Sequence, residues 1–506
     1  MVKNKNFDSE FCGSLPLHHI NVVQSYGYLL IVNKADLNIL QVSENVANLF
    51  NTDLPQIIGQ SISKFTDTEN LQELLRSYNG LSKEKIPATL TINNEKLPAL
   101  LHLKEAYLIL EIENRAAASE RSFVNVFGEV RYAIAAIEHA TSVEEVSRVA
   151  ISELRKVTGF DGVMMYRFDN EWNGTVIAED KVDDELEHYM GHTFPASDVP
   201  KQARELYLKN PYRLIPDREY QPVRLYPVIN PVTQSFIDLS DCNLRGVAAV
   251  HLEYLKNMNV QASMSIRVVY QGQLWGLIAC HHLTPHYLSF ELCAVCELLS
   301  SVISNKITSI LYKERFEEET KLQREQTDLI AQVYSKNDLI DGLFPTEGKG
   351  LANLFDSTGV VAILNGTTYT NGVVPDKDFI GDMVLWLQSK VVKTVYATDH
   401  LPQVYEDAAS VAGVASGVLV LPVDFAKGDF VICFRPEVVK EIKWGGNPNQ
   451  AINFEADGKN YHPRNSFKIW QEQVHHTSNA WTPQEMRVAD VLRSFIYEFK
   501  TKQALV

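Results

Sequence analysis

The chain of 506 residues carries 47 lysine and arginine residues against 63 aspartate and glutamate residues, a formal net charge of −16 at pH 7. This acidic balance argues against a nucleic-acid partner, because phosphate backbones are bound by basic surfaces. With 45% hydrophobic residues the chain is globular, and its length allows about three domains. No apolar run reaches transmembrane length, the N-terminus lacks an apolar signal core, and the six cysteines are scattered. We therefore expect a protein of the reduced cytoplasm with no membrane partner.

The first predicted domain covers residues from about 15 to about 115. Residues 27–42 predict two strands around a turn at Asn33 to Asp36, and a helical stretch follows. Two late strands are predicted around 99–103 and 106–113. This order of strand pair, helices and antiparallel strands is typical of a small α+β sensor domain.

A second α+β sensor domain is predicted from about 120 to 315. Thr141 or Ser142 is placed to cap a helix that Gly159 ends, and strands follow. A hairpin turned at Gln271-Gly272 closes this domain.

A segment without glycine or proline runs from Leu288 to Ile340. Its apolar residues recur at helical spacing in the first half, and the second half is polar. One continuous helix here would be about 80 Å long. A helix of that length is typical of a spine that links two domains or of a helix that forms a dimer interface.

A third unit, from about 341 to 480, weakly repeats the strand patterns of the second. After it, Thr482-Pro483-Gln484-Glu485 forms a capping box that opens an amphipathic helix. We expect an output domain to follow this helix in the full protein.

Several kinds of chemistry are disfavoured by the pattern. Cys293 and Cys296 lie on the predicted long helix with no second ligand pair, which favours core packing over zinc binding. Cys280, His281 and His282 end a strand, where consecutive side chains alternate faces and cannot all reach one metal. The sequence contains no P-loop, no G-x-S-x-G elbow and no phosphoacceptor box of a histidine kinase. We therefore predict no catalytic domain and no metal site in this chain.

The stretch SDVPKQAR, residues 197–204, leaves two interpretations of Asp198 open. Asp198 could cap the helix that follows. Alternatively, the following Val199-Pro200 holds the backbone extended, so the Asp198 carbonyl need not be used inside a helix.

A group of polar and aromatic side chains in the second domain could line one pocket. Two arginines and two serines make a good receptor for carboxylates, and aromatic rings could form its walls. These residues are Arg213, Arg245, His251, Ser263, Ser265, Tyr166, Phe194 and Tyr254.

Three stretches of the second domain closely resemble the bilin-binding domain of phytochromes: FPASDVPKQAR (194–204), LRGVAAVHLEYLKNMNVQASMS (244–265) and LWGLIACHH (274–282). In the third domain, WGGNP (444–448), PRNSF (463–467) and WQE (470–472) resemble the tongue of the phytochrome-specific domain. The resemblance covers nearly the whole chain in the order PAS, GAF, PHY.

This resemblance implies three tandem α+β sensor domains joined by a long helical spine. The implied division is an N-terminal segment with the attachment cysteine (1–20), a PAS domain (21–118), a GAF bilin-binding domain (119–315), a connecting helix (316–340), a PHY domain (341–480) with a tongue at about 443–481, and a C-terminal output-linking helix (481–506).

The family also implies a role for each pocket residue toward a linear tetrapyrrole with two propionates. The Asp198 carbonyl would accept pyrrole N–H groups, next to Val199 and Pro200. Arg213, Arg245 and Tyr207 would hold one propionate, and Ser263 and Ser265 the other. His251 would pack beside the central rings, and His281 would meet the D-ring carbonyl. Tyr166, Phe194 and Tyr254 would line the D-ring cavity. The implied tongue residues are Trp444, Pro463, Arg464, Ser466 and Trp470.

The position of the attachment cysteine separates the subfamilies. Plant and many cyanobacterial phytochromes carry a cysteine directly before the pocket histidine, where this chain has Val250. Bacterial phytochromes use a cysteine ahead of the PAS core, and Cys12 matches it. This implies covalently bound biliverdin IXα, with light-driven Z/E isomerisation at the D-ring bridge. The N-terminal segment would thread a loop that contains residues 221–231.

The sequence departs from the family at three places. The usual Gln-Pro-His-Gly is Gln24-Ser25-Tyr26-Gly27 here, and the region after Cys12, GSLPLHHIN, keeps little of the usual proline-rich pattern. The usual Ser-Pro pair before the pocket histidine is Ala248-Ala249. The first two changes concern the geometry of the Cys12 segment, and the third removes a hydroxyl from the propionate site.

The implied protein is a red/far-red photoreceptor and a parallel homodimer. Its output module would be a histidine kinase acting on a response regulator, with a diguanylate cyclase as the second choice. Two other classes stay open: a GAF module that binds a cyclic nucleotide or another small molecule, and a pure scaffold.

Overall fold

The computed structural model describes residues 20–67, 85–114, 123–182, 186–448, 452–454, 461–463 and 467–503. The chain divides into two compact units. The first comprises Met1–Ile310 with Lys443–Trp470, and the second comprises Leu311–Ile442 with Gln471–Val506. Both units mix helices with mainly antiparallel sheets, so the predicted α+β class is confirmed.

The N-terminal part of the first unit is a seven-stranded sheet. Its strands are β1 (Val22–Val23), β2 (Gly27–Asn33), β3 (Ile39–Ser43), β4 (Ile86–Ile92), β5 (Glu95–Leu103), β6 (Tyr107–Glu113) and β11 (Val223–Tyr226), in the order β1-β11-β3-β2-β6-β5-β4. Short helices Val46–Phe50 and Leu54–Ile57 and a 3-10 turn Ile62–Lys64 pack beside it. Because β11 comes from much later in the chain, this sheet joins the two domains predicted for this unit.

The second sheet of this unit carries the candidate site. Its strands are β7 (Gly162–Phe168), β8 (Gly174–Lys181), β9 (Thr193–Phe194), β10 (Tyr212–Ile215), β12 (Ala262–Tyr270) and β13 (Gln273–His282), in the order β10-β12-β13-β7-β8-β9. The helices are Phe123–His139, Val143–Thr158, Lys201–Lys209 and Ala249–Asn257, with a 3-10 turn Ala196–Asp198. Ser142 caps the second helix, and Gly159 ends it in the left-handed conformation at φ 75°.

The spine helix extends over Phe290–Lys336, 47 residues. In its first part Cys293, Cys296 and Leu299 are buried, which confirms core packing for the two cysteines. The predicted end at Ile340 is wrong: Asn337 adopts a left-handed φ of 49°, and Asp338 caps a separate helix, Leu339–Leu343.

The spine helix is also long and apolar enough, by length and composition alone, to cross a membrane. This differs from our expectation that no segment reaches that length. One such helix is weak evidence for a membrane span, because the core helix of a water-soluble protein passes the same test.

The second unit is built on a five-stranded sheet. Its strands are β14 (Gly359–Leu364), β15 (Thr367–Gly372), β16 (Tyr396–Thr398), β17 (Gly417–Asp424) and β18 (Asp429–Arg435), in the order β15-β14-β18-β17-β16. Its helices are Leu339–Leu343, Leu351–Leu354, Lys377–Ser389, Leu401–Val404, Ala412–Ala415 and Pro483–Gln503, with 3-10 segments Glu406–Val411 and Phe425–Lys427.

The final helix, Pro483–Gln503, is fixed at its start by the predicted capping box. The backbone N–H of Thr482 donates to Glu485, and the N–H of Glu485 donates to the Thr482 hydroxyl at 3.1 Å. Glu485 also accepts from Arg435 at 2.6 Å, and both side chains are buried. The capping box is therefore confirmed, and a buried ion pair reinforces it.

Four further strands lie in the predicted tongue: β19 (Lys440–Gly445), β20 (Ile452–Phe454), β21 (Tyr461–Pro463) and β22 (Ile469–Val474). β20 and β21 pair antiparallel, with Phe454 opposite Tyr461. The pair Asp457-Gly458, whose sequence favours a hairpin turn, comes between these strands and lies outside the described residues.

Candidate functional site

A cavity of about 340 Å³ lies in the first unit between the second sheet and the helices Lys201–Lys209 and Ala249–Asn257. It is lined by all thirteen residues that the sequence predicts for the pocket. These are Tyr166, Phe194, Asp198, Val199, Pro200, Tyr207, Arg213, Arg245, His251, Tyr254, Ser263, Ser265 and His281. Sequence positions more than a hundred residues apart therefore meet around one space large enough for a small-molecule ligand.

The floor of the cavity follows from strand alternation. On β12 and β13, Ser263 pairs with His281 and Ser265 pairs with Ala279. Side chains two apart on a strand share a face, so Ser263, Ser265, Ala279 and His281 all line the cavity. Leu277, two residues before Ala279, extends the same row.

Asp198 does not cap the helix Lys201–Lys209. The N-cap position of that helix is Pro200, and no side chain makes the capping bond. The Asp198 carboxylate instead accepts the hydroxyl of Tyr254 at 2.7 Å. The capping interpretation is therefore wrong, because the proline moves the helix start two residues beyond the acid.

Two arginines give the cavity its positive charge. Arg213 donates from Nη1 to the Asn243 carbonyl at 3.2 Å and from Nη2 to the Gly246 carbonyl at 2.8 Å. Burial, followed by the charge of Arg213, lowers the pKa of Arg245 to about 9, so Arg245 stays protonated at neutral pH. Two partly buried cations that line the same cavity favour an anionic ligand, because an anion offsets their mutual repulsion.

Two histidines of the cavity are neutral near pH 7. Burial, with a contribution from Arg213, lowers the pKa of His251 to about 4. Burial, with a contribution from His251, lowers the pKa of His281 to about 4. The His251 ring stacks on Tyr254, with centroids 6.1 Å apart. Each imidazole can therefore donate one hydrogen bond to a ligand and accept another.

Replacing His281 with Asn should reduce the acid sensitivity of the ligand-free protein. A histidine whose folded pKa lies near 4 and whose unfolded pKa lies near 6.5 destabilises the fold progressively as pH falls through that interval, because the unfolded chain binds the extra proton. Denaturant titrations measure the free energy of unfolding at each pH. Between pH 6 and 5 this free energy should fall less steeply in the variant than in the wild type, by up to about 1.4 kcal/mol per pH unit. The exposed His139 serves as control through His139→Asn. Parallel pH curves for wild type and His281→Asn would contradict the assignment.

Described tongue residues of the first unit lie at the cavity or beside residues that line it. Trp444 pairs in parallel with Thr193 of β9, and Pro463 lines the cavity. A side chain at Gly445 would come within 2.7 Å of the Phe194 ring, so only glycine fits there. Arg464 and Ser466 lie outside the described residues, and Trp470 lies in β22.

Phe467 is a neighbour of the cavity that was not among the predicted pocket residues. Phe467 is 5% exposed and packs edge-on against Tyr254, with ring centroids 5.1 Å apart. It belongs to a cluster of buried residues that includes Met164, Tyr166 and Phe194. An aromatic residue directly after the PRNS motif is the sequence signal that could have identified it.

Most of the other missed lining residues are apolar, and Ser197, Asn210 and Tyr212 are polar exceptions. The apolar ones include Met164, Leu206, Met258 and Leu277. Period-two spacing from Tyr166 and His281 would have found Met164 and Leu277, since alternate strand residues share a face.

Five of the six cysteines are described, and all five are buried: Cys242, Cys280, Cys293, Cys296 and Cys433. None of these five lines the cavity. Burial raises the pKa of each of these thiols, which disfavours the reactive thiolate. Val250, the family's alternative attachment position, does line the cavity but has no thiol. Cys12 lies outside the described residues.

Two of the three departures from the family pattern lie among the described residues. Gln24 donates to the Leu214 carbonyl at 3.1 Å, and the Tyr26 hydroxyl donates to the Asn243 carbonyl at 3.1 Å. Ala248 lines the cavity and is the N-cap residue of the helix Ala249–Asn257, where no side-chain capping bond is made. Tyr26 therefore supports the segment that carries Arg245, whereas Ala248 contributes only apolar surface.

Family models match three successive parts of the chain: a PAS fold over residues 12–115, a GAF domain over 142–307 and a phytochrome region over 322–504. The chain is 36% identical over 500 residues to cyanobacterial phytochrome B of Nostoc sp., covering 97% of this chain and 66% of the relative. It is 30% identical over 513 residues to a bacteriophytochrome of Xanthomonas campestris, covering 98% and 79%. The chain belongs to the phytochrome family.

The three-dimensional comparison agrees with this membership. The crystal structure of a bacteriophytochrome from the photosynthetic bacterium R. palustris matches with a TM-score of 0.84 and 31% identity, covering 97% of this chain and 99% of that one. The chain is thus a PAS-GAF-PHY photosensory module of a light-sensing family. It spans about two thirds of the length of the phytochrome from Nostoc.

Proposed function

We propose that this phytochrome module binds biliverdin IXα in the cavity of the first unit and senses red and far-red light. The observation that carries the proposal is the joint lining of one 340 Å³ cavity by two arginines, two neutral histidines and an aromatic cluster. When bound, the bilin supplies the light-driven Z/E isomerisation at its D-ring bridge. The protein positions the pigment and responds to its change of shape.

The arginines and serines that line the cavity would hold the two propionates. Arg245, with Tyr207, is the main candidate for one propionate, because Arg213 already donates to backbone carbonyls of the segment that carries Arg245. Ser263 and Ser265 are candidates for the other propionate, since both line the cavity from β12.

The remaining lining residues would surround the pigment rings. His281 would donate to the D-ring carbonyl and His251 would lie beside the central rings, as neutral imidazoles can. The Asp198 carbonyl would accept pyrrole N–H groups. Tyr166, Phe194 and Tyr254 would bound the space in which the D-ring turns, a role that their shared apolar cluster with Phe467 supports.

Cys12 would form the covalent bond to the pigment. The five described cysteines are buried away from the cavity with raised pKa values, which leaves Cys12 as the sixth. In support, β1, ten residues after Cys12, pairs with β11, and Ile20 and Val22 line the cavity. The N-terminal segment would thus run toward the pigment and thread the loop that contains 221–231.

The tongue would carry the light signal by changing from strand to helix. The segment SFKIWQEQV, 466–474, supports this, because its apolar residues Phe467, Trp470 and Val474 suit one helix face, although Ile469–Val474 is a strand here. Arg464 would pair with Asp198 in the dark state and lose that partner on illumination.

Light-minus-dark infrared spectra in the amide I region test this tongue switch. The pigmented wild type should lose strand signal and gain helix signal, and Arg464→Ala should keep the pigment but weaken that change. The tongue proposal fails if the wild type photoconverts without any strand-to-helix signature.

The output of the full protein would be a histidine kinase with its response regulator or, as second choice, a diguanylate cyclase. The spine helix would mediate a parallel homodimer, which exposed apolar residues on it such as Leu298, Tyr312 and Phe316 support. The protein would act in the cytoplasm.

The alternative is a GAF module that binds a cyclic nucleotide, whose phosphate the two arginines could also hold. Titration of the ligand-free protein with biliverdin and, separately, with cyclic GMP decides between them. Biliverdin should raise the unfolding temperature and develop a red absorption band, whereas cyclic GMP should change neither. Stabilisation by cyclic GMP alone would overturn the photoreceptor proposal.

A further inference from the structure

Strand β6 places two carboxylates in the buried region between the two sheets of the first unit. Leu108, Leu110 and Ile112 face one core, so Glu111 and Glu113 lie on the opposite face. Glu111 is 0% exposed and Glu113 is 2% exposed. Buried carboxylates are costly unless they are hydrogen-bonded, so the partners of each one indicate what it does.

Glu111 holds the backbone directly before a cavity arginine. Its Oε2 accepts the N–H of Leu244 at 2.6 Å, and its Oε1 pairs with His102 Nε2 at 2.7 Å. Asp241, 3.8 Å from His102 Nδ1, and Lys104 complete this ion network. The Cys242 thiol lies within 4.8 Å of the ligating atoms of His102 and Glu111, a spacing that could suit a metal. Since both Glu111 oxygens already have protein partners, hydrogen bonding accounts for this cluster without a metal.

The segment that Glu111 holds has little freedom. The Leu244 carbonyl accepts the N–H of Gln24 at 2.8 Å, and Arg245 forms a β-bridge with Val23. A side chain at Gly27 would come within 2.8 Å of the Leu244 side chain, so the strand beneath it also approaches closely. The backbone at Arg245 is therefore held by the bridge to Val23 and, through Leu244, by Glu111. This fixes the position from which the Arg245 side chain extends.

We propose that Glu111, a residue outside the cavity, is a positioning residue for Arg245. The charge-assisted bond to the Leu244 N–H sets the backbone from which Arg245 reaches an anionic group of the ligand. This inference rests on the proposed function, in which that group is a bilin propionate. Without Glu111 the Leu244 N–H is buried with no acceptor, and the segment must shift to satisfy it.

Glu113 is a matched control on the same strand. It lies on the same face and is equally buried, but its Oε1 accepts the N–H of Phe290 at 2.9 Å, and the Tyr287 hydroxyl donates to it. Loss of Glu113 therefore acts first on the start of the spine helix and leaves the acceptor of the Leu244 N–H in place.

The test compares biliverdin with its dimethyl ester, in which both propionates have lost their charge. Binding is measured by absorption titration in a Cys12→Ser background, so that it is reversible. Glu111→Met, which keeps the side-chain volume, should weaken biliverdin by roughly tenfold but the dimethyl ester by less than about threefold. Glu111→Gln, which still offers an oxygen to Leu244, should restore most of the affinity for biliverdin. Glu113→Met should change both ligands by the same factor.

A double variant tests whether Glu111 acts through Arg245. Arg245→Ala should also weaken the binding of biliverdin more than the binding of the ester. Adding Glu111→Met to Arg245→Ala should cause no further loss of affinity, since the effects of residues that act as a unit are not additive. Glu111→Ala replaces Glu111→Met if the latter does not fold. Equal losses for biliverdin and its ester, or full additivity with Arg245→Ala, would overturn the positioning role while leaving the photoreceptor proposal intact. Failure of the unmutated pocket to bind any bilin would overturn both.

Discussion

Replacement of Cys12 with Ser should abolish covalent attachment of the pigment and leave a coloured, noncovalent complex. The five described cysteines are buried and do not line the cavity, so none of them can take over the bond without unfolding. The polar groups of the cavity remain, and they hold a propionate-bearing ligand without a covalent link. A denaturing gel with zinc-enhanced bilin fluorescence measures attachment.

The matched control is Cys433→Ser, which changes a buried thiol in the second unit and should keep its fluorescent band. A fluorescent band that persists in Cys12→Ser would show that another cysteine forms the bond. The assignment of this chain to the biliverdin-binding type would then need a different residue.

Replacement of Asp198 with Ala should leave pigment binding intact and lower the photoproduct fraction under saturating red light, because the proposed switch loses a charge-assisted hydrogen bond. The main-chain carbonyl proposed to hold the pyrrole N–H groups survives this change. The carboxylate that accepts the Tyr254 hydroxyl at 2.7 Å is lost, together with the proposed link to Arg464.

Tyr254→Phe separates the two contacts of Asp198, because it removes the hydroxyl and leaves the acid. We expect its effect to be smaller than that of Asp198→Ala. Absorption spectra at photoequilibrium measure both variants, and an Asp198→Ala protein that photocycles like the wild type would show that the carboxylate has no part in the switch.

Through its motifs and their resemblance to phytochromes, the sequence was sufficient to predict thirteen of the side chains that line the cavity. Ser263 and Ser265 share a strand face by alternation, and the register of β12 with β13 places His281 opposite Ser263. The extended Val199-Pro200 pair likewise predicted an irregular backbone at Asp198, although the proposed cap was wrong.

The supporting contacts of the site could not be predicted. In the sequence, Glu111 and Glu113 alternate with Leu110 and Ile112, a pattern that normally marks a solvent-facing side of a strand. Both are buried because residues from the later GAF part, including Leu244, cover that face. Such long-range coverage leaves no local signal, so tertiary packing decides it.

The early end of the spine helix has a similar cause. No glycine or proline interrupts the chain between Leu288 and Ile340, so propensity alone predicts one helix. The helix stops at Lys336 since Leu339 and Leu343 turn into the core of the second unit, with Asp338 capping the new helix. Burial of these two leucines outweighs continuation of the helix.

The absorption spectrum before and after red illumination tests the central claim most directly. Protein co-expressed with haem oxygenase should show a red band that changes on illumination. Ala279→Phe, which places a ring inside the cavity, should lose that band, whereas the same change at the exposed Ala426 should not. A colourless wild type, or an Ala279→Phe protein as coloured and photoactive as the wild type, would contradict a pigment in this cavity.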